Sequence, residues 1–125
     1  MVVAMKRPER RGSFRLRMLV AVGLLLTMTL LTGCGGSSRV VLDVRTPEEF
    51  SRIHLEGARN ADIESSDFDQ QVANIDHNAE VYVYCFSGVR SAKTAERLRE
   101  MGFTNVTDAG GLDNAAALLN LQIVN

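Results

Sequence analysis

The stretch Val81-Tyr82-Val83-Tyr84-Cys85-Phe86-Ser87-Gly88-Val89-Arg90-Ser91 limits the fold more than any other part of the chain. Val81 to Tyr84 are β-branched or aromatic and uncharged, the run of an inner parallel strand covered on both faces. From Ser91 the period turns helical: Ala92, Ala95 and Leu98 form one stripe, and Lys93, Glu96, Arg97, Arg99 and Glu100 take the other positions. Gly102 is placed to stop this helix. Cys85 therefore falls at the carboxyl end of a strand, just ahead of a helix N-terminus. A tight curl over Phe86 to Arg90 needs the positive φ that Gly88 supplies. It aims several backbone N–H groups at one spot, on the positive end of the helix dipole. A free thiol titrating near ~8.5 falls to roughly 3.5–7.5 in such a place beside a cation, and Arg90 is the cation the sequence offers. Most unpaired cysteines are small buried hydrophobes, but a packing cysteine has no need of Ser-Gly-Val-Arg-Ser directly after it. Cys85 reads as a thiolate nucleophile.

The pattern Cys85-x-x-Gly88-x-Arg90-Ser91, between an apolar strand and a helix, resembles the active-site loop of rhodanese-like sulfurtransferases. Upstream, Asp43-Val44-Arg45 with Pro47-Glu48-Glu49-Phe50 and His54-x-x-Gly57-Ala58 is similar to a second signature of that family, in the right order. The resemblance covers roughly residues 40 to 124. It implies an α/β fold, a rhodanese-like open parallel sheet with helices on both faces. It also implies a reaction in which Cys85 takes a sulfane sulfur from a small donor, holds it as a persulfide, and passes it to a thiol or cyanide acceptor. The substrate-binding positions are then Phe86, Ser87, Gly88, Val89 and Arg90, whose backbone cradles the sulfur, with the Arg90 side chain offsetting anionic charge. Phe86 supplies apolar shielding where many relatives carry a charge, so thiosulfate is expected to be a poorer donor than a polysulfide or a protein persulfide. No cofactor is implied. Neither His54 nor His77 has partners at metal-ligand spacing, so no metal is expected.

The beginning of the chain reads as an address. Lys6, Arg7, Arg10, Arg11, Arg15 and Arg17 stand against Glu9 alone, and Met18 to Leu31 carry no charge. This is the basic region and short apolar region of a secretory signal, too short to span a bilayer, which takes about 20 residues. Leu31-Thr32-Gly33-Cys34 looks like the lipobox of bacterial lipoproteins. The expected division is a signal peptide over 1–33, a lipidated Cys34 with a short linker to 38, and one domain over 39–125. That places the domain at a cell membrane, on its extracytoplasmic face, with Cys85 as the one free thiol. Residues 34–125 carry eight basic and fourteen acidic side chains, a formal charge of −6, which argues against a nucleic-acid partner.

Elsewhere the strand and helix signals alternate, as a parallel α/β sheet requires. Val40-Val41-Leu42 reads as a buried strand ending at Asp43. Thr46, Pro47 and Glu49 make a capping box over a brief helix to Ile53. Asn60 to Ile63 reads as a short strand. Ser65-Ser66-Asp67 opens a helix with Phe68, Val72 and Ile75 inward. Thr104 to Thr107 forms a strand, Gly110-Gly111 turns into a helix over Leu112 to Leu119, and Leu121 to Val124 pack as a terminal strand or a tail. Asp43 and Arg45 lie at the carboxyl edge of the sheet, where such folds place ligands. Arg45 either pairs with Glu48 or Glu49 as scaffold or faces the sulfur pocket; scaffold is favoured, with Asp43 behind the site.

The family's usual edge strand and helix ahead of the Asp-Val-Arg strand have no counterpart between Cys34 and Val41, so the domain is expected to be N-terminally shortened. Dimerisation over the uncovered side, as a homodimer, is one remedy. Two other readings fit the same residues. A cysteine phosphatase or arsenate reductase also uses a Cys-to-Arg loop over a helix N-terminus, but the spacing here is C-x4-R rather than C-x5-R, a ring better sized for one sulfur atom. A non-catalytic sulfur-binding or docking module at the membrane surface suits the missing segment, and the intact Cys85, Gly88 and Arg90 oppose it.

Overall fold

The computed structural model describes residues 36–125. Their elements run β1 (Arg39–Asp43), α1 (Pro47–Arg52), β2 (His54–Leu55), β3 (Arg59–Asn60), α2 (Phe68–Val72), β4 (Glu80–Cys85), α3 (Val89–Glu100), β5 (Val106–Gly111), α4 (Leu112–Leu119) and β6 (Ile123–Val124). Cys34 and the signal peptide expected over 1–33 lie outside the described residues.

The main sheet is parallel with strand order β3-β1-β4-β5. The uncharged strand β4 takes an inner place, with Val81, Val83, Tyr84 and Cys85 almost fully covered. Because successive side chains point to opposite faces, the two faces collect separate cores. On one, Leu42, Val81, Val83 and Cys85 meet Phe68, Val72 and Ile75, together with Leu98 of α3. On the other, Val41, Tyr84 and Ala109 meet Leu55 and the α4 residues Leu112, Ala115 and Leu119. Helices thus cover both faces.

The capping box forms as read: Thr46 Oγ1 accepts from Glu49 N, and Glu49 Oε2 accepts from Thr46 N at 3.1 Å. The terminal residues are a strand, since β6 pairs antiparallel with β2. The strand read over Asn60 to Ile63 is the two-residue β3, Arg59–Asn60, and the helix read through Ile75 ends at Val72, with Ile75 buried beyond it. Two further expectations need correcting. The strand placed over Thr104 to Thr107 lies two residues later, at Val106–Gly111. It carries a bulge at Ala109, where the register passes from Val83↔Asp108 to Tyr84↔Gly110, and Gly110 takes φ +75° there. The buried stripe of α3 is Ser91, Thr94, Ala95 and Leu98, with Ala92 exposed. Serine and threonine can be buried because each hydroxyl is bonded. Thr94 Oγ1 donates to Arg90 O at 2.7 Å, and Ser91 Oγ lies 2.7 Å from Asp108 Oδ1.

Candidate active site

β4 delivers Cys85 to the carboxyl edge of the sheet, and the chain curls through Phe86, Ser87 and Gly88 into α3. Gly88 takes φ +94° and caps the helix, so the glycine is required by the curl itself. Its N–H donates to Cys85 Sγ at 2.9 Å. Burial pushes the Cys85 thiol up, but the amides of Ser91, Gly88 and Ser87 and the Ser91 hydroxyl outweigh it, holding the thiol below its ordinary value. Cys85 has no exposed surface, whereas Phe86 and Val89 stand out from the loop at 64% and 76% exposure. The backbone of the loop therefore holds the sulfur while its side chains face outward.

Two contacts brace the curl from the junction of β5 and α4. Ser87 bridges to Gly111, and Leu112 N donates to Phe86 O at 3.3 Å. A Cβ on Gly111 would lie 2.7 Å from the Phe86 carbonyl oxygen, so only glycine allows this approach. Asp108 Oδ1 accepts from Ser91 Oγ and from Gly110 N, tying the start of α3 to the bulge.

Arg90 does not stand free beside the sulfur. Its guanidinium is clasped by Glu49 of α1, Nη1 to Oε2 at 2.8 Å and Nη2 to Oε1 at 2.9 Å, with Glu64 3.6 Å away. The hydrogen bond from Arg90 lowers the Glu49 carboxyl from 4.5 to about 2. The role expected of Arg90 is thereby changed: its charge reaches Cys85 but is balanced by a carboxylate. Glu49 was read from sequence as a cap, and nothing in a separation of 41 residues announces its second task.

Arg45 pairs with Asp43, not with Glu48 or Glu49. Its Nε meets Asp43 Oδ1 at 2.9 Å and Nη2 meets Oδ2 at 2.6 Å, while Nη2 also donates to Ile53 O. Both side chains are buried, 2% and 0% exposed, and the hydrogen bond to Asp43 raises the Arg45 guanidinium further. The pair fixes the path from β1 through α1 to β2, so Arg45 is scaffold by a different partner. Tyr84 assists: its hydroxyl accepts from Leu55 N at 2.9 Å. His54 stacks on Phe50 and its Nδ1 lies 2.9 Å from Phe50 O, away from any role on the thiol.

A parallel α/β sheet that hands a cysteine with a lowered pKa to the amides at a helix N-terminus defines a cysteine-loop protein. The profile of the rhodanese-like domain matches residues 29–116, and the chain belongs to the rhodanese-like family. It is 40% identical over 75 residues to the thiosulfate sulfurtransferase PspE of Escherichia coli, covering 60% of this chain and 72% of that protein. It is 37% identical over 73 residues to the thiosulfate sulfurtransferase GlpE of Pseudomonas putida, covering 58% and 64%. Among solved structures, an Escherichia coli rhodanese with anions superposes with TM-score 0.60 at 35% identity, over 70% of this chain and 99% of that one.

Proposed function

We propose that Cys85 takes a sulfane sulfur from a small donor, carries it as a persulfide, and releases it to a thiol or cyanide acceptor. The chain is a rhodanese-type sulfurtransferase, in line with its thiosulfate sulfurtransferase relatives at 37% and 40% identity. The observation that carries the mechanism is the Gly88 N–H at 2.9 Å from Cys85 Sγ, with the Ser87 and Ser91 amides also holding the thiol low. Amides aimed at the sulfur favour its thiolate form, so the proposed attack calls on no histidine base.

With thiosulfate as donor, the Cys85 thiolate attacks the outer sulfur. The Cys85 S–S bond forms, the donor S–S bond breaks, and sulfite leaves with the electron pair. In the second half, an acceptor thiolate or cyanide attacks the outer sulfur of the persulfide, and Cys85 thiolate is the leaving group. Charge and sulfur balance in both halves with no redox partner.

The donor preference rests on the loop mouth. Phe86 presents an apolar ring, and Arg90 gives both terminal nitrogens to Glu49. The strongly hydrated sulfonate end of thiosulfate finds no unmatched cation on the loop itself to replace its water, so a polysulfide is the better donor. Equal or faster turnover with thiosulfate refutes this preference. The lipid anchor on Cys34, and with it a place on the extracytoplasmic face of a membrane, completes the proposal.

The test is the intact mass of the protein after incubation with donor and again after cyanide. One added sulfur that leaves with cyanide, and that Cys85→Ser never acquires, is the expected result. A folded protein that takes up no sulfur leaves only the sulfur-independent docking reading.

A further inference from the structure

Beside the cysteine loop lies a cleft of about 360 Å³, lined by Arg45, Glu49, Arg52, Ile53 and Phe86. Its size is that of a small-molecule site, apolar walls with a few polar groups. Ile53 and Phe86 give the apolar walls, with 38% and 64% of their surfaces exposed, and Phe86 directly follows the reactive cysteine.

The charges on this cleft are not equivalent. Arg45 is matched by buried Asp43. Glu49 is matched by Arg90, and its Oε2 also accepts from Thr46 N. Arg52, in the last turn of α1, has no ion pair or hydrogen-bonded partner among the described residues, although Glu48 lies one turn before it. With the two matched pairs cancelling, Arg52 is the guanidinium of the cleft left without a partner among the described residues, beside an apolar wall. An arginine fork suits a carboxylate, which it can hold through two parallel hydrogen bonds.

We propose that this cleft is the acceptor subsite, and that Arg52 selects small organic thiols bearing a carboxylate. The inference rests on the sulfurtransferase reading above and names the acceptor class that reading leaves open. The acceptor thiolate attacks the outer sulfur of the Cys85 persulfide, forming a new S–S bond. The bond to Cys85 Sγ breaks, and the cysteine departs as thiolate. The stem of the acceptor lies along Ile53 and Phe86 while its carboxylate meets Arg52. Cyanide, with neither stem nor carboxylate, uses none of these contacts.

The experiment loads the full chain with sulfur and measures transfer to 3-mercaptopropionate, 2-mercaptoethanol and cysteamine at equal thiolate concentration. The carboxylated thiol is expected to react about two- to fivefold faster than the neutral one, the range of an exposed ion pair, and cysteamine slowest. The advantage narrows at high salt. Arg52→Gln brings the ratio of carboxylated to neutral thiol close to one, while Arg52→Lys retains part of it. A ratio that is the same in wild type and Arg52→Gln, or a preference for cysteamine, overturns the assignment of Arg52. No transfer from wild type even to cyanide overturns the sulfurtransferase reading itself, and this inference with it.

Discussion

The Glu49 carboxylate serves two elements at once, capping α1 and clasping Arg90. Glu49→Gln removes its charge and frees donor capacity on Arg90, so the KM for thiosulfate should fall about two- to fivefold, the scale of a partly exposed pair; steady-state kinetics with thiosulfate and polysulfide side by side check this. The same residue sets a pH dependence. Its folded value is depressed from 4.5 to about 2, so its contribution to stability is complete above the unfolded value and is lost as pH falls towards 2. Urea titrations should show a wild-type advantage over Glu49→Gln that is constant above about pH 5 and shrinks below it. Asp43 is a different case, because its partner is buried. Asp43→Asn leaves the Arg45 guanidinium covered without a counter-charge, and should cost about 3–5 kcal/mol in denaturant unfolding. The sequence exposed Cys85, Gly88 and Arg90 through their spacing. It could not expose Glu49 or the Asp43–Arg45 pairing, because both depend on which carboxylate a long side chain reaches in space.

At the scale of elements, the support of the cysteine loop comes from β5 as much as from α3. Gly111→Ala pushes a methyl group against the Phe86 carbonyl oxygen, 2.7 Å away, and must shift the curl that aims the amides. Sulfur transfer should fall roughly tenfold, as for small displacements of reacting groups, and the pH midpoint of Cys85 alkylation should rise, which a purely structural role would not produce. The short helices were legible because their signals are local: the capping box of α1, the inward Phe68 and Val72 of α2, the span of α4. β5 was not. Its bulge at Ala109 breaks the period of two, and Gly110-Gly111, read as a turn, belong to the strand. Ala92 was misplaced for a related reason: Ser91 and Thr94 look polar in sequence, yet their hydroxyls are spent on Asp108 and Arg90 O and their faces can be buried.

Over the described domain, one parallel sheet is shared by two cores, so neither can loosen alone. Leu98→Ala on one face and Leu55→Ala on the other should each cost about 2–5 kcal/mol, and fluorescence and circular dichroism should report the same single transition for both. Chain order and alternation were enough to foresee this arrangement, since parallel pairing with short connections leaves few topologies. The enclosure of Cys85 by that same arrangement has a practical side. A sulfur with no exposed surface sorts its reagents by bulk. A small alkylating agent such as iodoacetamide should react faster than a bulky aromatic disulfide used to count thiols, which Phe86 and Val89 stand in the way of. Colorimetric titration of the native protein would then undercount its most reactive cysteine, and a sample in full working order would pass for an oxidised one.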